Sequence, residues 1–311
     1  MKQIDASEHG IFEISWSADS QWVAYVRNET EVCIANVQTN EIRIIGTGRS
    51  PGFTANNGVV YEAKDEIHLA DGRGDRVIVS ATDICRSGKR NPCVSPDGKV
   101  VVFVVETVFH KESQNKNAYP LRHFLGMLST DNPSDAVMLD AQWYGGTSYW
   151  FPDSTHFGHF EYDSTGGARI HVNDLKGKRL NTMFGLYPAV SPDGKRIVCK
   201  PRSGQSIVVY TLKGDSWENA DLDTVVYKLP ESTGRLSGSP PQWMDNRHVI
   251  IDEGGKVFRV DTRKEDATEM KKIPVPTLRG TATMCISPNR EQIAVEVETE
   301  KGFALRIIPL G

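Results

Sequence analysis

Long hydrophobic runs are missing from this chain: no stretch approaches the ~20 apolar residues of a membrane span, so membrane insertion is not expected. The opening residues, Met1 to Glu8, lack the apolar core of a signal peptide. A cytoplasmic location is expected on that reading, and a periplasmic or secreted one if a leader preceded Met1. Excess positive charge is missing too. Lysine and arginine number 36 against 40 acidic residues, a net charge of −4, which argues against nucleic acid as the partner because duplex binding needs a basic surface to release counterions. The five cysteines, Cys33, Cys85, Cys93, Cys199 and Cys285, are odd in number, widely spaced and never fall as Cys-x-x-Cys. Reduced, mostly buried thiols are expected, a disulfide between some pair being the alternative. No helical periodicity of useful length occurs.

Recognisable catalytic motifs are equally scarce. There is no Gly-x-Ser-x-Gly elbow, and no serine or cysteine has a base and an orienting acid at a familiar spacing. Gly145-Gly146 and Gly166-Gly167 read as turns because no helix follows to offer its N-terminus to a phosphate. Asp131 to Asp135 reads as a hairpin turn and not as a helix-flanked calcium loop.

What the chain does have is a repeat. Ser17-Ala18-Asp19-Ser20, Ser95-Pro96-Asp97-Gly98-Lys99 and Ser191-Pro192-Asp193-Gly194-Lys195 each stand between two short apolar runs, and weaker copies centre on Asn56, Asp153, Asp245 and Asn289. Successive markers are 37, 41, 56, 40, 52 and 44 residues apart, a spacing that belongs to propeller blades. Proline presets φ, aspartate bonds its own backbone and glycine supplies positive φ, so the phrase is a turn by mechanism. Its flanks, such as Val100 to Val105 and Gln292 to Val297, are β-branched and short, as strands are.

Two further strand-like runs follow each hairpin, as at Val32 to Val37 and Glu41 to Ile45, and four strands make a blade. The final unit has only three runs, whereas Lys2 to Ile4 precedes the first unit as a spare. One all-β domain over residues 1–311 is therefore expected: a seven-bladed β-propeller with four antiparallel strands per blade, closed by the N-terminal strand completing the last blade. Six blades is the alternative count.

The Trp-Ser-Pro-Asp-Gly-Lys phrase followed by an apolar strand resembles the TolB-like propeller family. The full Ser-Pro-Asp-Gly-Lys stands at residues 95–99 and 191–195, and tryptophan precedes the turn at Trp16 and Trp243. The resemblance implies a propeller whose relatives bind envelope proteins, accompany serine peptidases or cleave pectin fragments. Fold alone does not choose among them.

Connections between blades usually line the ligand funnel of a propeller. On them fall Arg49, Arg90, Arg235 and Arg279, with Trp143, Tyr144 and Tyr187 in the corresponding places. Together they suggest a basic, aromatic-walled mouth for a carboxylate-bearing peptide or sugar, since arginine grips carboxylates bidentately and rings stack on rings. Pairing with blade-edge acids is the bland alternative. The long interval from Thr107 to Phe124 suggests a lid or a partner-docking loop carrying Phe109, His110, Tyr119, Arg122 and His123. A second insertion, Lys213 to Asp223, is acidic and expected to be a solvated loop on the opposite face.

Histidines give no shared site on this reading. His156 and His159 alternate faces if they lie on a strand, and only His159 and Glu161 share one, so a structural histidine, no metal and no cofactor are expected. The function expected is a non-catalytic protein-interaction or assembly module, acting as a monomer on a protein or peptide partner. The alternative is a lyase or hydrolase on an acidic carbohydrate, with a metal at His110 or His123.

Overall fold

The computed structural model describes residues 1–80, 89–108, 121–143, 147–162, 167–201, 206–228, 240–253, 256–263, 271–273 and 284–310. Among them stand seven four-stranded antiparallel sheets. Blade 1 is Ile11–Trp16, Trp22–Arg27, Glu31–Asn36 and Ile42–Thr47; blade 2 is Arg49–Phe53, Val59–Ala63, Glu66–Asp71 and Gly74–Val79. Blade 3 comprises Lys89–Val94, Val100–Val108, Leu121–Ser129 and Val137–Trp143, with a 3-10 turn at Pro133–Asp135 before its last strand. Blade 4 is Ser148–Trp150, His156–Tyr162, Ala168–Asp174 and Arg179–Phe184, and blade 5 is Leu186–Val190, Arg196–Lys200, Ser206–Leu212 and Leu222–Lys228. Blade 6 is Gln242–Trp243, His248–Glu253, Lys256–Asp261 and Lys271–Ile273. Blade 7 takes Met284–Ile286, Gln292–Thr299 and Gly302–Pro309 from the C-terminal end and its outer strand, Lys2–Ser7, from the other.

That closure is the one expected. Ala6 lies opposite Ala304 and Ser7 opposite Phe303. Ile4, 6% exposed, packs with Ile11, Tyr25, Leu305 and Ile307 across the seam. The first strands of successive blades touch one another around the complete ring, so no edge of the inner circle is left to template pairing with another chain.

Local chemistry explains the repeat. In blades 1, 3, 5 and 7 the serine hydroxyl (Ser17, Ser95, Ser191, Ser287) donates to the turn acid or amide (Asp19, Asp97, Asp193, Asn289) and accepts the N–H five residues on. Each turn then clasps its neighbour. The Asp97 N–H donates to Ser154 of blade 4, the Asp193 N–H to Asn246 of blade 6, and the Asn289 N–H to Ser20 of blade 1. The tryptophan before the turn crosses the same seam: Trp16, Trp150 and Trp243 donate their indole N–H to the carbonyls of Cys285, Cys93 and Ala189 in the preceding blades. These half-buried carbonyls would otherwise lose hydrogen-bonding partners at the seam.

Two expectations change. Residues 107–108 and 121–124 are ladder and not loop, since Thr107 pairs with Arg122 and Glu106 with His123. The extra length is partly a longer hairpin. The Lys213 to Asp223 segment is not wholly solvated either. Trp217 is 4% exposed, packs edge-on to Phe151 at 5.3 Å and donates to the Gly194 carbonyl, because an indole gains more from the apolar seam between blades 4 and 5 than from water.

Candidate functional site

An antiparallel meander sends its first-to-second and third-to-fourth turns to one face and its second-to-third turns and blade connections to the other. The connection face is where the first strands begin, and there they share a distortion. Four of them carry a register shift, and in each a residue stands four positions before the turn hydroxyl in left-handed backbone: Glu13 (φ 54°), Ser50 (φ 54°), Asn91 (φ 49°) and Tyr187 (φ 53°). Non-glycine residues in this region are costly and persist where their surroundings hold them. Part of that hold comes from carboxylates of the preceding blade. Glu13 accepts the Ser50 N–H at 2.5 Å and Glu62 accepts the Asn91 N–H at 2.8 Å. Burial raises the Glu62 pKa above its ordinary value, against the pull of that N–H and of Arg90.

Arg49 and Arg90 each stand immediately before such a residue, so the bulge fixes where both side chains emerge. Their fates differ. Arg90 is engaged, bonding Asp65 at 3.1 Å and Glu106 at 2.9 Å, which is the bland outcome for a blade-edge cation. Arg49 is exposed and has no ion pair among the described residues. It lines a cleft of about 430 Å³ with Phe12, Glu13, Val26 and Glu29. Phe12 is 37% exposed there, and Glu29 sits in the second-to-third turn of blade 1. The cleft therefore presents a cation without an ion pair among the described residues, an apolar ring and two carboxylates, Glu13 and Glu29, within one concavity.

Tyr187 is half-buried, its ring edge-on to Phe160 at 5.4 Å, and so serves the blade 4 to 5 seam as much as any wall. Trp143 ends the outermost strand of blade 3, and Arg122 and His123 lie in that blade's third strand. Tyr144, Arg235, Arg279, Phe109, His110 and Tyr119 lie outside the described residues. The structure thus brings Arg49 together with Phe12, Glu13 and Glu29, residues the sequence reading missed. The signal available was positional: each is fixed relative to the Ser17 turn or the blade 1 hairpin.

Two other concavities open on the turn face. One, about 570 Å³, lies where the first strands of blades 7, 1, 2 and 3 reach their turns and is lined by Trp16, Phe53, Pro92, Cys93, Ile286 and Arg290; Arg290 there donates to the Trp243 carbonyl. The other, about 600 Å³, includes Asp71, Arg73, Arg76 and Asp131, with Arg76 already bound to Asp71 at 2.8 Å. The four cysteines among the described residues are free thiols, and burial pushes them up, Cys93 and Cys199 to about 12 and Cys33 and Cys285 to about 11. None is a thiolate nucleophile at neutral pH.

No family model matches the chain, and no curated protein does. Solved structures do. An oligogalacturonate lyase from Vibrio parahaemolyticus superposes with a TM-score of 0.69 at 12% identity, covering 99% of this chain and 93% of that one. The β-propeller domain of Cps50 (Swd1) from Myceliophteria thermophila gives 0.66 at 10% identity, covering 99% of both chains. An oligogalacturonate lyase in complex with manganese gives 0.63 at 9% identity over 98% and 90%. At such identities the likeness establishes the seven-bladed propeller and nothing narrower.

Proposed function

We propose that this chain is a non-catalytic interaction propeller of the TolB-like kind, and that it takes a carboxylate-bearing segment of a protein or peptide in the cleft between blades 1 and 2. The observation that carries this reading is Arg49, a cation positioned by a strained bulge and left without an ion pair among the described residues. A guanidinium in a concavity binds carboxylate bidentately. Phe12 supplies the apolar contact, and Glu29 suits an amine or guanidinium on the same ligand. At about 430 Å³ the cleft is large enough for two or three side chains, within the range of about 300–1,000 Å³ usual for ligand sites.

The two lyase neighbours favour a second reading, cleavage of an acidic carbohydrate whose carboxylate Arg49 would hold. One experiment separates the two. A displayed random-peptide library is panned on the whole protein, and Arg49→Glu is panned in parallel. The binding reading expects enriched peptides rich in Asp, Glu or a free C-terminus that fail on Arg49→Glu. No enrichment, together with an unsaturated product from oligogalacturonate, would replace it with the lyase.

A further inference from the structure

We propose that His159, His171 and Glu161 form a binding site for one divalent transition-metal ion of the zinc class, inside blade 4 on the side turned toward blade 3. The ladder makes the site. His159 in the second strand lies directly opposite His171 in the third, so both rings project from the same face, and Glu161, two residues beyond His159, joins them by strand alternation. Phe157 on that face packs against Val102, Leu125 and Leu139 of blade 3, which identifies the seam.

Three features point to a ligand rather than to a merely buried cluster. The donor atoms all lie within 4.8 Å of one another. Both imidazoles are fully buried, while Glu161 keeps 13% exposure at the connection-face end of the strand. His159 Nε2 has no hydrogen-bond partner among the described residues, and an unpaired ring nitrogen in so dry a place is expensive unless something binds it.

The outer contacts suit ligation as well. His171 Nδ1 is 3.0 Å from the Thr182 hydroxyl, which fixes the ring and leaves Nε2 facing Glu161 Oε1 at 2.9 Å. A metal there replaces the proton that this pair shares, and that proton is released to solvent. Asn173 Nδ2 stands 3.3 Å from His159 Nδ1; ligation through Nε2 calls for the flipped amide, whose Oδ1 accepts the Nδ1 proton and leaves Nε2 as a bare lone pair. Two imidazoles and one carboxylate are a common donor set for zinc and related ions.

Arg169 lies opposite Glu161 in the ladder, and Arg179 in the outer strand lies opposite Asn173, two residues from His171, so two cations flank the site. They oppose a dication. The affinity should therefore rise when Arg179 is neutralised, a response that a purely structural histidine pair would not give.

The test titrates Zn²⁺ against a chromophoric chelator, and Co²⁺ by its visible absorption, on the whole protein stripped of metal. Uptake of one equivalent is expected, weakened at least about tenfold in His159→Gln and Glu161→Gln and tightened a few fold in Arg179→Gln. Failure of the wild type to take up either ion overturns the proposal, as does binding that survives both substitutions. If a histidine variant does not fold, the wild-type titration and Arg179→Gln still decide, since unchanged affinity in Arg179→Gln contradicts the placement.

Discussion

At the scale of single residues, a few backbone positions carry the contact between blades. Gly98 sits at φ +71°, and a Cβ there would stand 1.9 Å from the Ala55 nitrogen of blade 2, the same nitrogen that donates to the Gly98 carbonyl. Gly72 has nothing within 4 Å. Gly98→Ala should cost about 1–2 kcal/mol from the left-handed backbone alone and more from the displaced turn. Gly72→Ala should stay within about 0.5 kcal/mol. Urea denaturation of both variants checks this, and equal midpoints would show that the turns of blades 2 and 3 do not abut. The left-handed Glu13, Ser50, Asn91 and Tyr187 were not legible beforehand, because none is a residue type that announces positive φ except Asn91.

At the scale of the strand-turn-strand element, the turn carboxylates tie stability to pH. Partial burial works against ionisation of Asp97 and Asp193, yet the Ser95 and Ser191 hydroxyls and the Lys99 and Lys195 N–H groups hold both below the ordinary carboxyl value. Asp153 and Asp245 are lowered too, with burial opposed by His156 and His248. A depressed folded-state pKa contributes stability that is present above the unfolded value of about 3.9 and lost as pH falls through the folded value. Stability should therefore fall steeply below about pH 4. Asp193→Asn, which imitates the natural Asn289, should flatten that fall in urea midpoints measured across the acid range; an unchanged slope would remove the turns from the account of acid lability. This element was the legible part of the fold, since Ser-Pro-Asp-Gly encodes its own hydrogen bonds within five residues. Cross-strand partners were not. His159 meets His171 only through a register fixed across the hairpin, and a strand read alone shows His159 with Glu161 and nothing more.

At the scale of the whole molecule, the ring turns local distortions into one face. Every first strand begins on the connection face, so a bulge in any blade aims its neighbouring side chain at the rim, and the acids of neighbouring strands, in the same blade or the one before, decide which cations stay available. The positions of Arg49 and Arg90 were legible from their place before the turn. Their difference was not, because Asp65 and Glu106 reach Arg90 from other strands and Arg49 meets no such pair among the described residues. No helix of the described residues is long and apolar enough to cross a membrane. The most direct measurement is calorimetric titration of an acidic peptide selected on the wild type into Arg49→Ala and Arg90→Ala. Loss of at least about tenfold in affinity at Arg49, against less than about twofold at Arg90, is predicted from a charge-assisted contact worth roughly 1.5–3 kcal/mol. Equal losses, or a loss at Arg90 alone, would contradict the cleft between blades 1 and 2 as the place where this propeller meets its partner.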